Sequence, residues 1–497
     1  MTAESRRLAV GAGWTLLSTV VAIGVGALLN PILVLYVGLG GYGEWAAAIA
    51  LASLFGVGGD VGVAGALTKL AAEREGRRQD LGSMAGTALA VGVVCGGLAG
   101  GLLAALSPIL ENGSGYPEFA TLLRIQALQM APNLGVASIL GLYQGRRLFR
   151  SLAGFSIIQV AGSFGLAVAF LTAGYGLVGV MLASLATSSA VFAAAVVLNR
   201  HLLTFRGVDG FREDFRKLVP FGFQLTLTNA FSAALYQIDL VALAFLVHDP
   251  QQLGLYALAT FVTRTIWIIP SSIGTTTYPV VSEYTAANRG GRLARYVSTA
   301  LVASIAITGV VSSALVLFGR PALAIAFGVS SVSSFDLCLL MLGGTAFLGC
   351  LRSVASAIPS VGRPEVGLRI SVAGAALLLA LSIPLIAVLG AAGAATAVTI
   401  TFSSVAVLLL WSLQHYVLQP HRLTFDVRRA AQTGLLASAL VGVSFAFALA
   451  PKPTLETTLG AGLVLLGGAF ALLEISGGSR TWLSLIGRQP RDAADRS

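Results

Sequence analysis

Apolar runs of about 20 residues or more recur along the whole chain, divided by short clusters of arginine and lysine. A helix rises about 1.5 Å per residue, so each run is long enough to cross a hydrocarbon core of about 30 Å. Backbone amides find no water in lipid, which leaves only helices or a closed barrel. Barrel strands would alternate apolar and polar side chains over about ten residues, and these runs do not. Composition agrees, because 56% of residues are hydrophobic and 10% charged, where soluble domains carry about a quarter charged. The sequence predicts an all-α polytopic membrane protein.

The runs place fourteen spans near 9–37, 42–68, 81–106, 118–143, 152–173, 175–198, 218–247, 253–281, 293–318, 335–358, 366–388, 391–414, 430–450 and 454–474. With a cytoplasmic N-terminus, 26 of the 31 lysines and arginines fall in inside connections, and only Arg320 and Lys452 fall outside. A span missed or invented early in the chain would destroy that asymmetry, so the count and the orientation support each other. The expected location is the inner, cytoplasmic membrane with both termini inside. The net charge of +10 is spread over these loops, which argues for topology control and against a nucleic-acid partner. Arg6 and Arg7 precede an apolar run reaching about Val37, too long for the core of a cleaved signal peptide.

An internal repeat organises the spans. A shift of 211 positions lays Gly11 on Gly222, Thr15 on Thr226, Gly43 on Gly254, Trp45 on Tyr256, Ala46 on Ala257 and Arg78 on Arg289. With small gaps, Gln144-Gly145-Arg146 then faces Val361-Gly362-Arg363 and Gly176/Gly179 faces Gly390/Gly393. Six spans per unit is an even number, so both units enter the membrane from the same side as parallel pseudo-twofold repeats. The expected organisation is an N-terminal six-helix lobe (1–216), a second six-helix lobe (217–429), two additional spans (430–475) and a cytoplasmic tail (476–497).

Within this frame Arg264 is conspicuous, lying eleven residues inside the eighth span. A charge there costs about 3 kcal/mol on insertion scales and normally faces a partner, a bundle interior or water. On the same helical face lie Thr260, Trp267, Ser271 and Thr275. The repeat-related face of the second span carries Ile49, Ser53, Gly56, Asp60 and Ala64, and the seventh span adds Gln224, Thr228, Ser232, Leu235 and Asp239. These stripes predict a hydrated cavity between the lobes, with Arg264, Arg124, Gln224, Thr228, Thr260 and Trp267 as substrate-binding candidates. Asp60 and Asp239 are the candidates for ion coupling or gating. Plainer readings stand beside these. Arg264 could pair structurally with Asp239 or Asp60, Asp60 could bond a neighbouring helix, and Asp239 could pack. Arg124 and Arg352, nearer span ends, could snorkel to the surface.

Other chemistry lacks its residues. None of the three lysines stands in a GxxxxGK[ST] loop. Cys95, Cys338 and Cys350 lie within apolar runs without disulfide or zinc spacing, and the four histidines lie near loops. No metal, cofactor or catalytic residue is expected, and the chain does not read as an enzyme.

The segment YVGLGGYGEWAAAIALASLFGVGGDVGVAGALTKLAAE, with Gly43, Asp60 and Gly62, resembles the opening of polysaccharide flippases of the O-antigen type. ASILGLYQGRRLFRSLAGFSIIQ and YQIDLVALAFLVHDPQQLGLYALA are similar to later spans of that family, and the likeness extends over about residues 8 to 420. The resemblance implies the multidrug, oligosaccharidyl-lipid and polysaccharide exporter superfamily, with its two bundles in a V. It also implies a substrate whose polyprenyl chain is joined through pyrophosphate to an oligosaccharide, met by cavity cations such as Arg264. The expected activity is flipping of that lipid-linked oligosaccharide to the outer leaflet by alternating access. Its expected partners are the substrate, membrane lipids, a glycan polymerase and other assembly proteins. Two alternatives are an ion-coupled multidrug (organic cation) antiporter and a membrane-embedded glycan polymerase or ligase. The short outside loops speak against the latter.

Overall fold

The computed structural model describes residues 3–76, 82–203, 207–287, 289–419 and 427–448, together with a few positions between 465 and 472. All regular structure among them is helical. The helices are α1 (Ala3–Gly59), α2 (Val63–Gly76), α3 (Gly82–Ser114), α4 (Phe119–Gly145), α5 (Phe149–Thr172), α6 (Gly176–Leu198), α7 (Gly207–Leu246) and α8 (Pro250–Arg264). After these come α9 (Ile268–Ala286), α10 (Gly290–Phe327), α11 (Ser334–Leu351), α12 (Ala357–Ser360), α13 (Pro364–Leu389), α14 (Ala391–Ser412) and α15 (Val427–Ala448). Twelve described segments are long and apolar enough to cross a membrane, and the chain is a multi-pass membrane protein.

Fourteen spans were expected, and the difference lies at the two ends of the chain. The expected first and second spans form one 43-residue segment, Leu17–Gly59, in which Gly38 leaves helical geometry at φ 74° and ψ 173°. Most of the expected span 454–474 lies outside the described residues. Large apolar side chains such as Leu98, Ile109 and Val388 are exposed, as lipid-facing positions should be.

The described chain divides into two compact units, Met1–Ala257 with Ser382–Ala391, and Leu258–Leu381 with Ala392–Ser497. In the first, α3 packs along α4, α5 along α6, and α1 along both α5 and α7. Val63, Leu67, Met84, Ala88, Leu142 and Leu218 form a core joining α2, α3, α4 and α7. In the second unit, α10 packs along α15, α11 and α9, and α9 also meets α12.

Two expected continuous helices are interrupted. The second span stops at Gly59 and restarts at Val63, with Gly62 at φ +66°. A Cβ on Gly62 would collide with the carbonyl of Gly222 in α7, so both the backbone angle and the close approach require glycine here. Thr226 Oγ1 donates to the Asp60 carbonyl at 3.0 Å across the same crossing. The eighth span is α8, a 3₁₀ turn over Thr265–Trp267, and then α9. Pro270 explains this, since it offers no N–H to the Ile266 carbonyl and its ring crowds that group, and the backbone tightens upstream.

Candidate functional site

The second unit gathers two arginines around one tryptophan. Trp267 is buried, donates from Nε1 to the Thr345 carbonyl at 2.8 Å, and packs against Phe402. The guanidinium carbon of Arg264 lies 5.8 Å from the indole centroid, and that of Arg352 lies 4.8 Å from it. Both are within the range of cation–π attraction. Both arginines are half-buried, and the Nε and Nη2 atoms of Arg264 are themselves enclosed by protein.

Arg352 is held from several directions. Its Nε donates to Ser271 Oγ at 2.8 Å. Helix α11 ends one residue before it, and the following turn is laced to α9: Thr277 Oγ1 donates to the Ser353 carbonyl at 2.6 Å, and Ser356 Oγ to the Gly274 carbonyl at 2.9 Å. A Cβ at Gly274 would stand 2.5 Å from the Arg352 carbonyl oxygen, so only glycine lets α9 approach this closely. Arg352 is therefore a cation on a fixed base. It does not simply snorkel away from the helix end, and it was not among the binding candidates drawn from the sequence. Its signal was Ser353, Ser356 and Ser360, a polar row directly after the arginine.

The other candidates have different surroundings. Thr260 is buried, with its hydroxyl 3.9 Å from the Met341 sulfur. Thr275, expected on the Arg264 face, is exposed and donates to the Ser272 carbonyl. Arg124, in the first unit, is exposed on α4 beside Leu128 and donates from Nε to Ser107 Oγ at 3.1 Å. Asp239 is fully buried and accepts from the Tyr256 hydroxyl at 2.5 Å, which ties it into protein rather than water. Asp60 is half-buried and sits at the break between α1 and α2. Thr228 is half-buried, and the side chain of Gln224 lies outside the described residues.

Helices α10, α11, α14 and α15 line a cavity of about 680 Å³. Its walls are mainly apolar, with Ile305, Leu342, Phe347 and Val441 among them. Cys350 and Leu351 belong to this lining, and the next residue is Arg352. One turn of chain thus carries an apolar wall and a cationic site.

Solved structures of the same fold include the lipid II flippase MurJ in an inward closed conformation, 15% identical, with 96% of this chain and 100% of that chain covered at a TM-score of 0.71. A multidrug resistance MATE family transporter of the MOP superfamily in an inward-facing conformation is 15% identical, with 81% and 99% covered at 0.60. A MOP superfamily transporter from Pyrococcus furiosus is 17% identical, with 80% and 93% covered at 0.55. No curated protein sequence matches the chain significantly. The sequence profile of the polysaccharide biosynthesis protein family matches residues 8–285, more than half of the chain. With its membrane helices and a fold shared with these three structures, the chain belongs to the polysaccharide biosynthesis protein family.

Proposed function

We propose that the protein flips an anionic lipid-linked oligosaccharide, a polysaccharide repeat unit on a polyprenyl pyrophosphate, from the cytoplasmic to the outer leaflet. The observation that carries this reading is the placement of Arg352 immediately after Cys350 and Leu351 of the apolar cavity, and over the same indole as Arg264. An amphiphile with an anionic junction between lipid and sugar matches both surfaces. Guanidinium groups suit phosphate oxygens because their fork of N–H donors makes paired, charge-assisted bonds. The moving bodies in this proposal are the two sequence repeats, 1–216 and 217–429, working by alternating access in the inner membrane with both termini cytoplasmic. A glycan polymerase and other assembly proteins would take the product onward.

The rival reading, an organic cation antiporter, draws on the fold shared with MATE transporters. It requires a carboxylate facing the substrate; Asp239 is fully buried against Tyr256, so that reading falls to the half-buried Asp60. Cation binding abolished by Asp60→Asn but indifferent to Arg264→Ala would favour it. Cells that depend on the protein for surface glycan provide the test. Arg264→Ala should reduce surface glycan about tenfold or more at normal abundance, with Arg264→Lys intermediate because it keeps charge and loses the fork. Full glycan in the Ala variant would overturn the proposal.

A further inference from the structure

The two arginines differ in how they are held, and the difference bears on what they can select. Arg264 ends α8 and meets the indole at 5.8 Å. Arg352 sits closer, at 4.8 Å, with its guanidinium plane oriented by the Nε bond to Ser271 and its backbone clamped to α9 at Gly274 and Thr277. Both groups contact one fixed ring, so their guanidinium carbons stand no farther apart than the two centroid distances taken together. Trp267 is itself fixed by its bond to Thr345 and by Gly349, where a Cβ would stand 2.8 Å from the indole.

We propose that Arg352, positioned by Ser271 and Trp267, is the second cationic arm of the headgroup site and makes it select a diphosphate over a monophosphate. This rests on the lipid-linked substrate proposed above. The physical reason is geometric. A monophosphate satisfies one guanidinium and gains little from a second at a fixed distance. A diphosphate offers each guanidinium its own phosphoryl group, and both arrays of charge-assisted bonds form together. The ordering cost is small because the arms are already in place. Ser271 and Trp267 are positioning residues in this arrangement.

The test uses the full-length protein in lipid nanodiscs, titrated with farnesyl diphosphate and farnesyl monophosphate as probes. The native protein should prefer the diphosphate by about tenfold or more, and Arg352→Ala should bring the ratio close to one with monophosphate affinity nearly unchanged. Arg352→Lys should fall between them, and Ser271→Ala should lower the ratio a few-fold without shifting the melting temperature. A purely structural arginine would weaken both probes together or neither. An undiminished preference in Arg352→Ala overturns the inference. If Arg264→Ala still abolishes binding in that case, the proposed function stands without Arg352. If neither variant alters binding of either probe, both readings fail.

Discussion

A guanidinium over an indole gains about 0.5–1 kcal/mol when exposed and about 2 kcal/mol or more when desolvated, and Trp267 holds two of them. Trp267→Leu should therefore disturb both arginines at once. The expected result is loss of surface glycan comparable to Arg264→Ala, measured at matched abundance, while Trp267→Phe retains part because a smaller aromatic face remains. Asp239 has different surroundings. Its bond from Tyr256 is fully buried, and removing a donor from a buried carboxylate costs about 1–3 kcal/mol. Tyr256→Phe should lower the melting temperature in detergent by an amount corresponding to that loss, with activity per folded molecule preserved. Arg264 was legible as a costly charge in a span, and Trp267 as its neighbour on the same face. Arg352 was not singled out, because near the end of an apolar run it resembles a snorkelling arginine, and the serines that follow it gain their meaning only once α11 ends at Leu351 and the chain turns onto α9.

The two interrupted spans show which features of an element are local and which are not. Pro270 acts locally, and the 3₁₀ turn immediately upstream follows from its missing donor. Pro270→Ala should allow regular α-helix through 265–267, rotating Trp267 and Arg264 relative to Ser271. The expected outcome is an unchanged or higher melting temperature together with reduced glycan export. The break at Asp60–Gly62 depends instead on α7. Its cause is the crossing with Gly222, some 160 residues away in sequence, which no local pattern reveals. Gly62→Ala adds a strained positive φ to a backbone collision and should destabilise the protein by more than about 1 kcal/mol. Thermal unfolding in detergent measures that loss. The close approach of Gly43 to the Gly254 backbone joins two positions that the 211-residue shift aligns, so the repeat and the packing meet at one point.

For the molecule as a whole, the testable quantity is topology. After replacement of Cys95, Cys338 and Cys350, single cysteines near Arg147 and Arg289 should be shielded from a membrane-impermeant thiol reagent in intact cells. One near Arg320 should be labelled. The reverse pattern would invert the transport direction proposed here. Membrane residence, the helical class, the approximate span positions and one anomalous arginine all follow from the order of residues, because burial in lipid is decided by runs of about 20 side chains and by loop charge. Folding decided how the polar groups are used. It enclosed Asp239 with Tyr256, left Arg124 on an exposed face, placed a 3₁₀ turn within the Arg264 stripe, and brought Arg352 onto Trp267 from 85 residues further along the chain. The physical reason is that helical periodicity records which residues share a face of one element. Which face meets a partner, and at what distance, depends on backbone crossings such as Gly274 against Arg352 that are formed only when distant segments pack.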